Sequence, residues 1–184
     1  NGRKGYQPRG MTLGGSSAIN AMVYIRGHRW DYDHWAALGN PGWSYDDVLP
    51  YFKKSENNEA ISDAFHGKGG PLNVAELRSD NPLQETFLEA AREAQFPIIR
   101  DFNGAEQEGC GVYQVTQKNG ERWSAARAYI HPHIGKRPNL SVQTGAKILK
   151  IVFEGKRAVG AEIRIGEQTK VFRARKEVIL SGGA

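Results

Sequence analysis

The chain has 184 residues, of which 39% are hydrophobic and 24% charged, and its formal net charge is +5. This composition is that of a globular protein with one sizeable core, or with one large domain and part of a second, and no apolar run approaches the ~20 residues of a membrane-spanning helix. The 25 lysines and arginines are scattered among 20 acidic residues, which indicates a solvated surface and argues against a nucleic-acid site.

Residues 1–33 form a glycine-rich segment with little periodicity, in which "SAINAMVYI" predicts either a short buried helix or an extended run. The next segment predicts a helix that begins after Ser44, because serine is a favourable N-cap and Asp47 stands at the third helical position. Pro50 lies far enough inside this helix to keep it short or to kink it. "FHGKGGPLNVAEL" then predicts a glycine turn followed by a strand.

Asn81 and Pro82 predict the start of the clearest helix, as an N-cap followed by proline at the first helical position. A second helix is predicted from Ser124 to just before Pro132. From Asn139 onwards, "NLSVQT", "KILKIVF", "AVGAEIRI" and "KVFRA" alternate apolar and polar residues as strands do. The continuous apolar run in "EVILSGGA" is typical of a strand buried on both faces, so we predict an antiparallel meander that returns to a parallel sheet.

Cysteine content and the chain ends add two expectations. The single cysteine, Cys110, cannot form an internal disulfide and fits a reducing compartment, which predicts a cytoplasmic protein. The chain begins at Asn1 without methionine and stops after an apolar run followed by glycines, which indicates the central fragment of a longer protein. Attachment of that longer parent to the inner membrane is left open.

The stretch "RGMTLGGSSAINAMVYIRG" is the strongest candidate for a binding loop. Gly14 and Gly15 let backbone N–H groups approach an anion, and Ser16 and Ser17 add hydroxyl donors suited to phosphate oxygens. The stretch matches neither Gly-x-Gly-x-x-Gly nor Gly-x-x-x-x-Gly-Lys-Ser/Thr. Glycine and serine alone favour a tight turn before a core helix over an anion site, and both interpretations stay open at this point.

Asn20 adds a side chain that can both donate and accept hydrogen bonds, and apolar residues follow it directly. A polar edge beside an apolar slot suits a ring system that carries a diphosphate. The apolar residues of this slot are Ala21, Met22 and Val23.

Four long segments of the chain resemble one known family. "RGMTLGGSSAINAMVYIRGHRWDYDHWAALGNPGWSYDDVLPYFKKSE" resembles the first signature region of the GMC (glucose–methanol–choline) flavoprotein oxidoreductases. "FHGKGGPLNV", "DFNGAEQEGCGVYQVTQKNGERWSAARAYIHP" and "RPNLSVQTGAKILKIVFEGKRAVGAEI" are similar to later segments of that family, in the same order. The similarity covers nearly the whole chain and is greatest to the bacterial choline-dehydrogenase-like and aliphatic alcohol dehydrogenase branch.

The resemblance implies a mixed α/β fold, with part of a Rossmann-like FAD-binding domain that includes an antiparallel meander and part of an α+β substrate domain. Residues 1–33 would be the FAD-attachment loop and flavin lid. Residues 34–138 would form part of the substrate domain with connecting helices, and residues 139–184 would be strands of the FAD-binding domain.

The resemblance also implies which residues hold FAD. Ser16 would contact the diphosphate, the stretch that begins at Asn20 would lie against the flavin ring, and the backbone of Ile148 would contact adenine. Some members tether flavin through a histidine at the position of Ile19, so the resemblance implies noncovalent FAD here. The complete implied set is Gly14, Gly15, Ser16, Asn20, Ala21, Met22, Val23 and Ile148.

Catalytic residues are not expected in this chain. The family's alcohol-proton acceptor is a His–His or His–Asn pair near its C-terminal end, and none of the histidines here matches it. No metal site is predicted, because the pair in "HPH" has no third ligand nearby. The histidines are His28, His34, His66, His131 and His133.

The resemblance implies a central fragment of an FAD-dependent enzyme that oxidises a primary alcohol, choline-like or aliphatic, to an aldehyde by hydride transfer to flavin N5. The fragment itself is expected to be inactive. Its partners would be a small alcohol and an electron acceptor that the sequence does not identify, without nucleic acid. The alternatives are a flavin-containing hydroxynitrile-lyase-type member of the family and a non-enzymatic binding module with a basic surface.

Overall fold

The computed structural model describes residues 2–79 and 81–183, and the chain divides into two compact units, Asn1–Arg137 and Pro138–Ala184. The first unit mixes helices with short strands, and the second is built on an antiparallel sheet, so the predicted mixed α/β fold is confirmed. Among the described residues, no helix has the length and apolar character needed to cross a membrane. The helices are α1 (Arg29–Ala37), α2 (Tyr45–Ser55) and α3 (Pro82–Glu93), and the strands of the first unit are β1 (Glu56–Asn58), β2 (Leu72–Val74), β3 (Gln117–Lys118) and β4 (Glu121–Arg122).

Both helices with strong start signals begin where the sequence predicts. Ser44 Oγ accepts a hydrogen bond from Asp47 N at 3.3 Å, and the Asp47 carboxylate accepts one from Ser44 N at 3.3 Å, which completes the capping box of α2. Pro50 does not end α2, which continues to Ser55. At α3, the Asn81 side chain accepts a hydrogen bond at 3.1 Å from the backbone N of Leu83, the second residue of the helix.

Helix α1 was not predicted, because its cap is an unusual one. His28 Nδ1 accepts a hydrogen bond from Trp30 N at 3.1 Å, and His28 N donates to the Asp31 carboxylate at 2.8 Å. The helix packs on α2 through Tyr32, whose ring meets that of Phe52 edge to face at 5.7 Å between centroids. His28 is therefore a helix cap in this structure.

The helix predicted from Ser124 to before Pro132 has a different form. The segment is a short π-helix, Ala126–Ile130, in which His131 N donates to Ala126 O at 2.8 Å, a bond across five residues. Ser124 still caps the segment, since its Oγ accepts a hydrogen bond from Arg127 N at 3.3 Å. The π-helix follows a short antiparallel hairpin of β3 and β4.

The core of the first unit contains charged and amide side chains. The largest fully buried side chains are Glu56, Val74 and Asn58. Arg26 Nη2 lies 2.6 Å from Glu56 Oε2, and both side chains are almost completely shielded from solvent. Asn58 Nδ2 donates to Glu56 Oε1 at 2.9 Å and to Gln114 Oε1 at 2.8 Å, so the buried carboxylate and amides have partners.

The second unit confirms the predicted antiparallel meander. Its strands are β5 (Ala146–Glu154), β6 (Arg157–Ile165) and β7 (Gln168–Arg173), in the order β5-β6-β7. Gly155 and Gly166 occupy the two connecting turns with φ of 59° and 56°, a left-handed conformation that glycine adopts without steric cost.

Two predicted strands of the second unit are absent from the described residues. Residues 139–144 and 178–180 have strand-like sequences, yet neither is hydrogen-bonded into a sheet. Ile179 and Leu180 are 79% and 66% exposed, so the prediction of a strand buried on both faces is wrong for this chain. A strand needs a hydrogen-bonded neighbour, and the alternation of side chains cannot show whether one is present.

Two carboxylates flank the buried imidazole of His66. Nδ1 lies 2.8 Å from Asp63 Oδ1, and Nε2 lies 3.5 Å from Asp101 Oδ2. Burial lowers the pKa of His66, but Asp101 and Asp63 outweigh burial and leave the pKa raised above its ordinary value. Burial likewise raises the pKa of each carboxyl group, but the His66 imidazole and nearby backbone N–H donors together outweigh burial, so both carboxyl pKa values are lowered. The cluster thus favours an imidazolium between two carboxylates.

We expect this cluster to stabilise the fold most in mildly acidic solution. The carboxylates contribute fully above their unfolded pKa near 4, and that contribution is lost as the pH falls through their lowered folded values. His66 contributes fully below its unfolded pKa of about 6.5, and its contribution is lost as the pH rises through its raised folded value. His66→Gln should therefore destabilise the chain most between about pH 4 and pH 6.5.

The measurement is the urea midpoint of the 184-residue chain across a pH series, for the wild type and His66→Gln. His131→Gln is the matched control, since the His131 side chain is exposed and makes no ion pair among the described residues. A constant difference between wild type and His66→Gln at every pH would contradict the ionic account of this cluster.

Candidate functional site

The glycine pair shapes the predicted binding loop. Gly14 and Gly15 have φ of 91° and 53°, and a short 3₁₀ helix, Gly15–Ala18, follows. A Cβ on Gly14 would lie 3.3 Å from both the Cβ and the N of Ala126, and a Cβ on Gly10 would lie 2.1 Å from Gly15 O. A side chain at Gly10 would therefore not fit, and one at Gly14 would press on Ala126, whereas Gly15 has open space and is favoured there by its left-handed backbone.

The two neighbouring serines have different surroundings. Ser17 Oγ donates to Gly14 O and accepts from Ala125 N at 2.9 Å, so Ser17 ties the loop to the π-helix. Ser16 is exposed, and its Oγ accepts a weak hydrogen bond from Gly10 N at 3.3 Å. Its hydroxyl hydrogen remains available to a ligand.

The loop also has the electrostatic character that an anion needs. Within the described part of the chain, the N–H groups of Gly14 and Ser16 donate to no protein acceptor. No acidic residue occurs between positions 9 and 26, whereas arginine stands at both ends of that span. Free N–H donors, a serine hydroxyl and an absence of acidic side chains fit the diphosphate of a dinucleotide.

The segment after the loop presents a polar group beside apolar side chains. Asn20 and Ala21 are exposed, and the Val23 side chain is 42% exposed. Met22 has a φ of 62°, a left-handed conformation that costs a non-glycine residue about 1 kcal/mol or more. Its carbonyl accepts a hydrogen bond from Thr116 N at 2.8 Å, so surrounding structure maintains the strained conformation.

Residues further along hold this segment at its other end. Tyr24 N donates to Gln114 O at 2.9 Å. The Asn103 side chain then takes the place of a neighbouring strand, because its Oδ1 accepts from Arg26 N at 2.8 Å and its Nδ2 donates to Tyr24 O at 3.1 Å. Burial raises the pKa of the Tyr24 hydroxyl, against the lowering effect of the Arg26 guanidinium, so this phenol stays neutral near pH 7.

The predicted cofactor residues fall in both units. Those of residues 14–23 lie together in the first unit. Ile148 lies in β5 of the second unit, where it pairs with Ile163 and is 53% exposed. Its predicted backbone contact to adenine stays a prediction.

A separate cavity of about 420 Å³ lies in the first unit, and none of the predicted cofactor residues lines it. It is bordered by residues 26–29 at the start of α1, by Tyr45 and Phe65, and by residues 102–108. Its walls combine arginine and glutamate side chains with the rings of Tyr45, Phe65 and Phe102. The cavity is therefore separate from the predicted diphosphate and flavin contacts.

The Asp63, His66 and Asp101 side chains are also close enough together to be considered as metal ligands, since their ligand atoms lie within 4.8 Å of one another. However, each carboxylate sits beside a different ring nitrogen, and one ion can bind only one nitrogen of an imidazole. The arrangement fits an imidazolium that is hydrogen-bonded to Asp63 and faces Asp101 better than a metal centre. Sequence reasoning missed this cluster because Asp101 is distant from His66 along the chain.

Comparison with known proteins gives a consistent result. The profile of the GMC oxidoreductase family matches residues 1–184. An oxygen-dependent choline dehydrogenase from Brucella anthropi is 50% identical over 183 residues, which are 100% of this chain and 33% of that protein. The mitochondrial choline dehydrogenase of Homo sapiens is 46% identical over 184 residues, which are 100% of this chain and 31% of that protein.

Solved structures agree with the sequence relatives. Pyridoxine 4-oxidase from Mesorbium loti superposes with a TM-score of 0.83 at 30% identity, covering 90% of this chain and 33% of that one. An FAD-dependent oxidoreductase from Chaetomium thermophilum gives a TM-score of 0.80 at 32% identity, covering 88% of this chain and 30% of that one. The chain thus spans about a third of the length of the relatives it matches. Since the family profile matches the whole chain, this protein belongs to the GMC oxidoreductase family, whose cofactor is FAD.

Proposed function

We propose that this chain is part of an FAD-dependent enzyme that oxidises a primary alcohol to an aldehyde, and that the alcohol is choline or a close analogue. The observation that carries this proposal is the 50% identity to a choline dehydrogenase along the whole chain. The geometry of the glycine loop supports it, because the loop offers free donors to a diphosphate next to an exposed apolar segment.

In this proposal the two ends of the cofactor are held by different segments. The backbone at Gly14 and Gly15 and the Ser16 hydroxyl bind the diphosphate, and the backbone of Ile148 meets the adenine. The flavin ring lies along the segment from Asn20 to Val23. When bound, FAD would supply N5 as the acceptor for the hydride of the alcohol carbon, and a protein base would be needed for the hydroxyl proton.

The same proposal assigns a role to each of three segments of the chain. Residues 1–33 serve as FAD-attachment loop and flavin lid, residues 34–138 contribute to the substrate domain, and residues 139–184 supply strands of the FAD-binding domain. The base that accepts the proton belongs to the C-terminal part of the parent protein. A cytoplasmic parent, free or attached to the inner membrane, would pass its electrons to an acceptor still to be identified.

We expect choline to bleach the visible flavin absorption of the full-length protein under anaerobic conditions. Tetramethylammonium, which has the same cationic head without a hydroxyl group, should bind without bleaching. A flavin that no primary alcohol bleaches would contradict the proposal and favour a lyase of the same family, which makes no net redox change.

The 184-residue chain alone should oxidise no alcohol and bind FAD weakly, since most of its loop is exposed.

The flavin should be bound noncovalently, because Ile19 offers no nucleophile at the position where some members carry histidine. Acid precipitation of the full-length protein should release all of the yellow colour into the supernatant. Colour that stays with the pellet and resists washing in denaturant would contradict this prediction.

The two serines of the loop provide a matched pair of variants. Ser16→Leu should place an apolar side chain at the diphosphate and give a folded but flavin-poor full-length protein. Ser17→Ala should instead lower stability by about 1–3 kcal/mol, because it removes the bonds to Gly14 O and Ala125 N. Flavin content and thermal unfolding measure the two effects, and full flavin occupancy in Ser16→Leu would show that Ser16 does not face the diphosphate.

A further inference from the structure

One arginine nitrogen joins the end of the glycine loop to the start of residues 20–23, the segment proposed to meet the flavin ring and called the flavin segment below. Arg122 Nη1 lies 2.7 Å from Asn20 O, 3.0 Å from Asn20 Oδ1 and 3.1 Å from Ser17 O. Arg122 stands more than 100 positions along the chain from these partners, and no sequence motif predicted the contact. A cation thus meets three oxygens at the carboxyl end of the 3₁₀ helix, where carbonyl dipoles favour positive charge.

These contacts determine how the Asn20 amide is turned. Asn20 Oδ1 accepts hydrogen bonds from Met22 N at 3.1 Å and from Arg122 Nη1, and only the oxygen of an amide can accept from N–H donors. The amide nitrogen must therefore point the other way. Among the described residues Nδ2 has no acceptor, and the side chain is exposed, so two N–H donors face outwards at the predicted flavin segment.

The position of Arg122 is itself well fixed. It pairs with Gln117 in the hairpin of β3 and β4. The next residue, Trp123, donates from its backbone N to Thr116 O at 2.9 Å and from its indole Nε1 to Pro71 O at 2.8 Å. Thr116 N in turn donates to Met22 O at 2.8 Å, so the hairpin that carries Arg122 also holds the flavin segment.

We propose that Arg122 is a positioning residue of the flavin site, which turns the Asn20 amide so that its N–H₂ group donates to an acceptor atom of the flavin. This inference rests on the function proposed above. A fixed donor and a nearby cation stabilise the electron-rich reduced flavin more than the oxidised form, and they raise its reduction potential. Without the guanidinium, only the 3.1 Å hydrogen bond from Met22 N would hold the amide oxygen, so the orientation of the amide would be less well fixed.

The test compares Arg122→Met, Arg122→Lys and Arg127→Met in the full-length holoenzyme. Arg122→Met should weaken reduced-state binding relative to oxidised-state binding by tenfold or more, which lowers the two-electron potential by about 30 mV. Arg122→Lys should restore most of the potential, because all three contacts use one nitrogen and an ammonium carries three N–H donors. Arg127→Met is the control, since Arg127 pairs with Glu121 and has no contact with Asn20.

A second variant, Asn20→Asp, keeps an oxygen for Met22 N and Arg122 while it removes the outward donor. Its potential should fall although the contacts of Arg122 persist, which tests the outward donor of Asn20 even if Arg122→Met does not fold. A wild-type potential in Asn20→Asp, or in Arg122→Met with only its unfolding temperature lowered, would overturn the inference. A wild-type protein that binds no FAD would instead overturn the proposed function.

Discussion

The buried ion pair between Arg26 and Glu56 is the interaction on which the first unit depends. Removal of both charges from water costs several kcal/mol per ion, so the pair is tolerable only with further hydrogen bonds. These are present: Glu56 also accepts from Asn58 Nδ2 and Gly67 N, and Arg26 Nη1 donates to Phe65 O at 2.8 Å. Loss of either partner alone would leave an unpaired buried charge, at a cost of about 3–5 kcal/mol.

The ion pair bears on the proposed flavin site because of where Arg26 stands in the chain. It lies three residues after Val23, so it anchors one end of the segment proposed to meet the flavin. From Arg26 towards the glycine loop, the backbone is held in turn by Asn103, by the 114–116 segment and by Arg122. A loop with little core of its own is thus fixed by side chains and carbonyls that come about 80 to 100 positions later.

The sequence predicted those elements that depend on interactions between residues close together in the chain. The caps at Ser44 and Asn81 act within one helical turn, and the alternation in the second unit reflects strands that pair with their neighbours in sequence. The family motifs likewise predicted a binding loop at the glycine pair, and this stays a prediction. By contrast, the strand-like run at residues 178–180 has no hydrogen-bonded neighbour among the described residues, so its pattern alone could not give a strand.

What the sequence could not predict depends on contacts between distant residues. Asp101 beside His66, Asn103 beside Tyr24 and Arg122 beside Asn20 each join positions that no spacing rule connects. Helix α1 is a different case, because its signal was local but its cap was histidine, a residue that capping statistics do not favour.

The neighbouring serines show why such contacts decide function. Both were equal candidates for phosphate as residue types, yet Ser17 is used by the protein to bind Ala125 and only Ser16 is left to a ligand. Asn20 repeats the pattern within one side chain, since its oxygen is bound by the protein and its nitrogen faces outwards. Met22 adds a strained backbone that is maintained by Thr116. In the proposed site, the donors that face the cofactor are therefore those that residues 103–125 leave unused, so that later segment would shape the loop as much as its own glycines do.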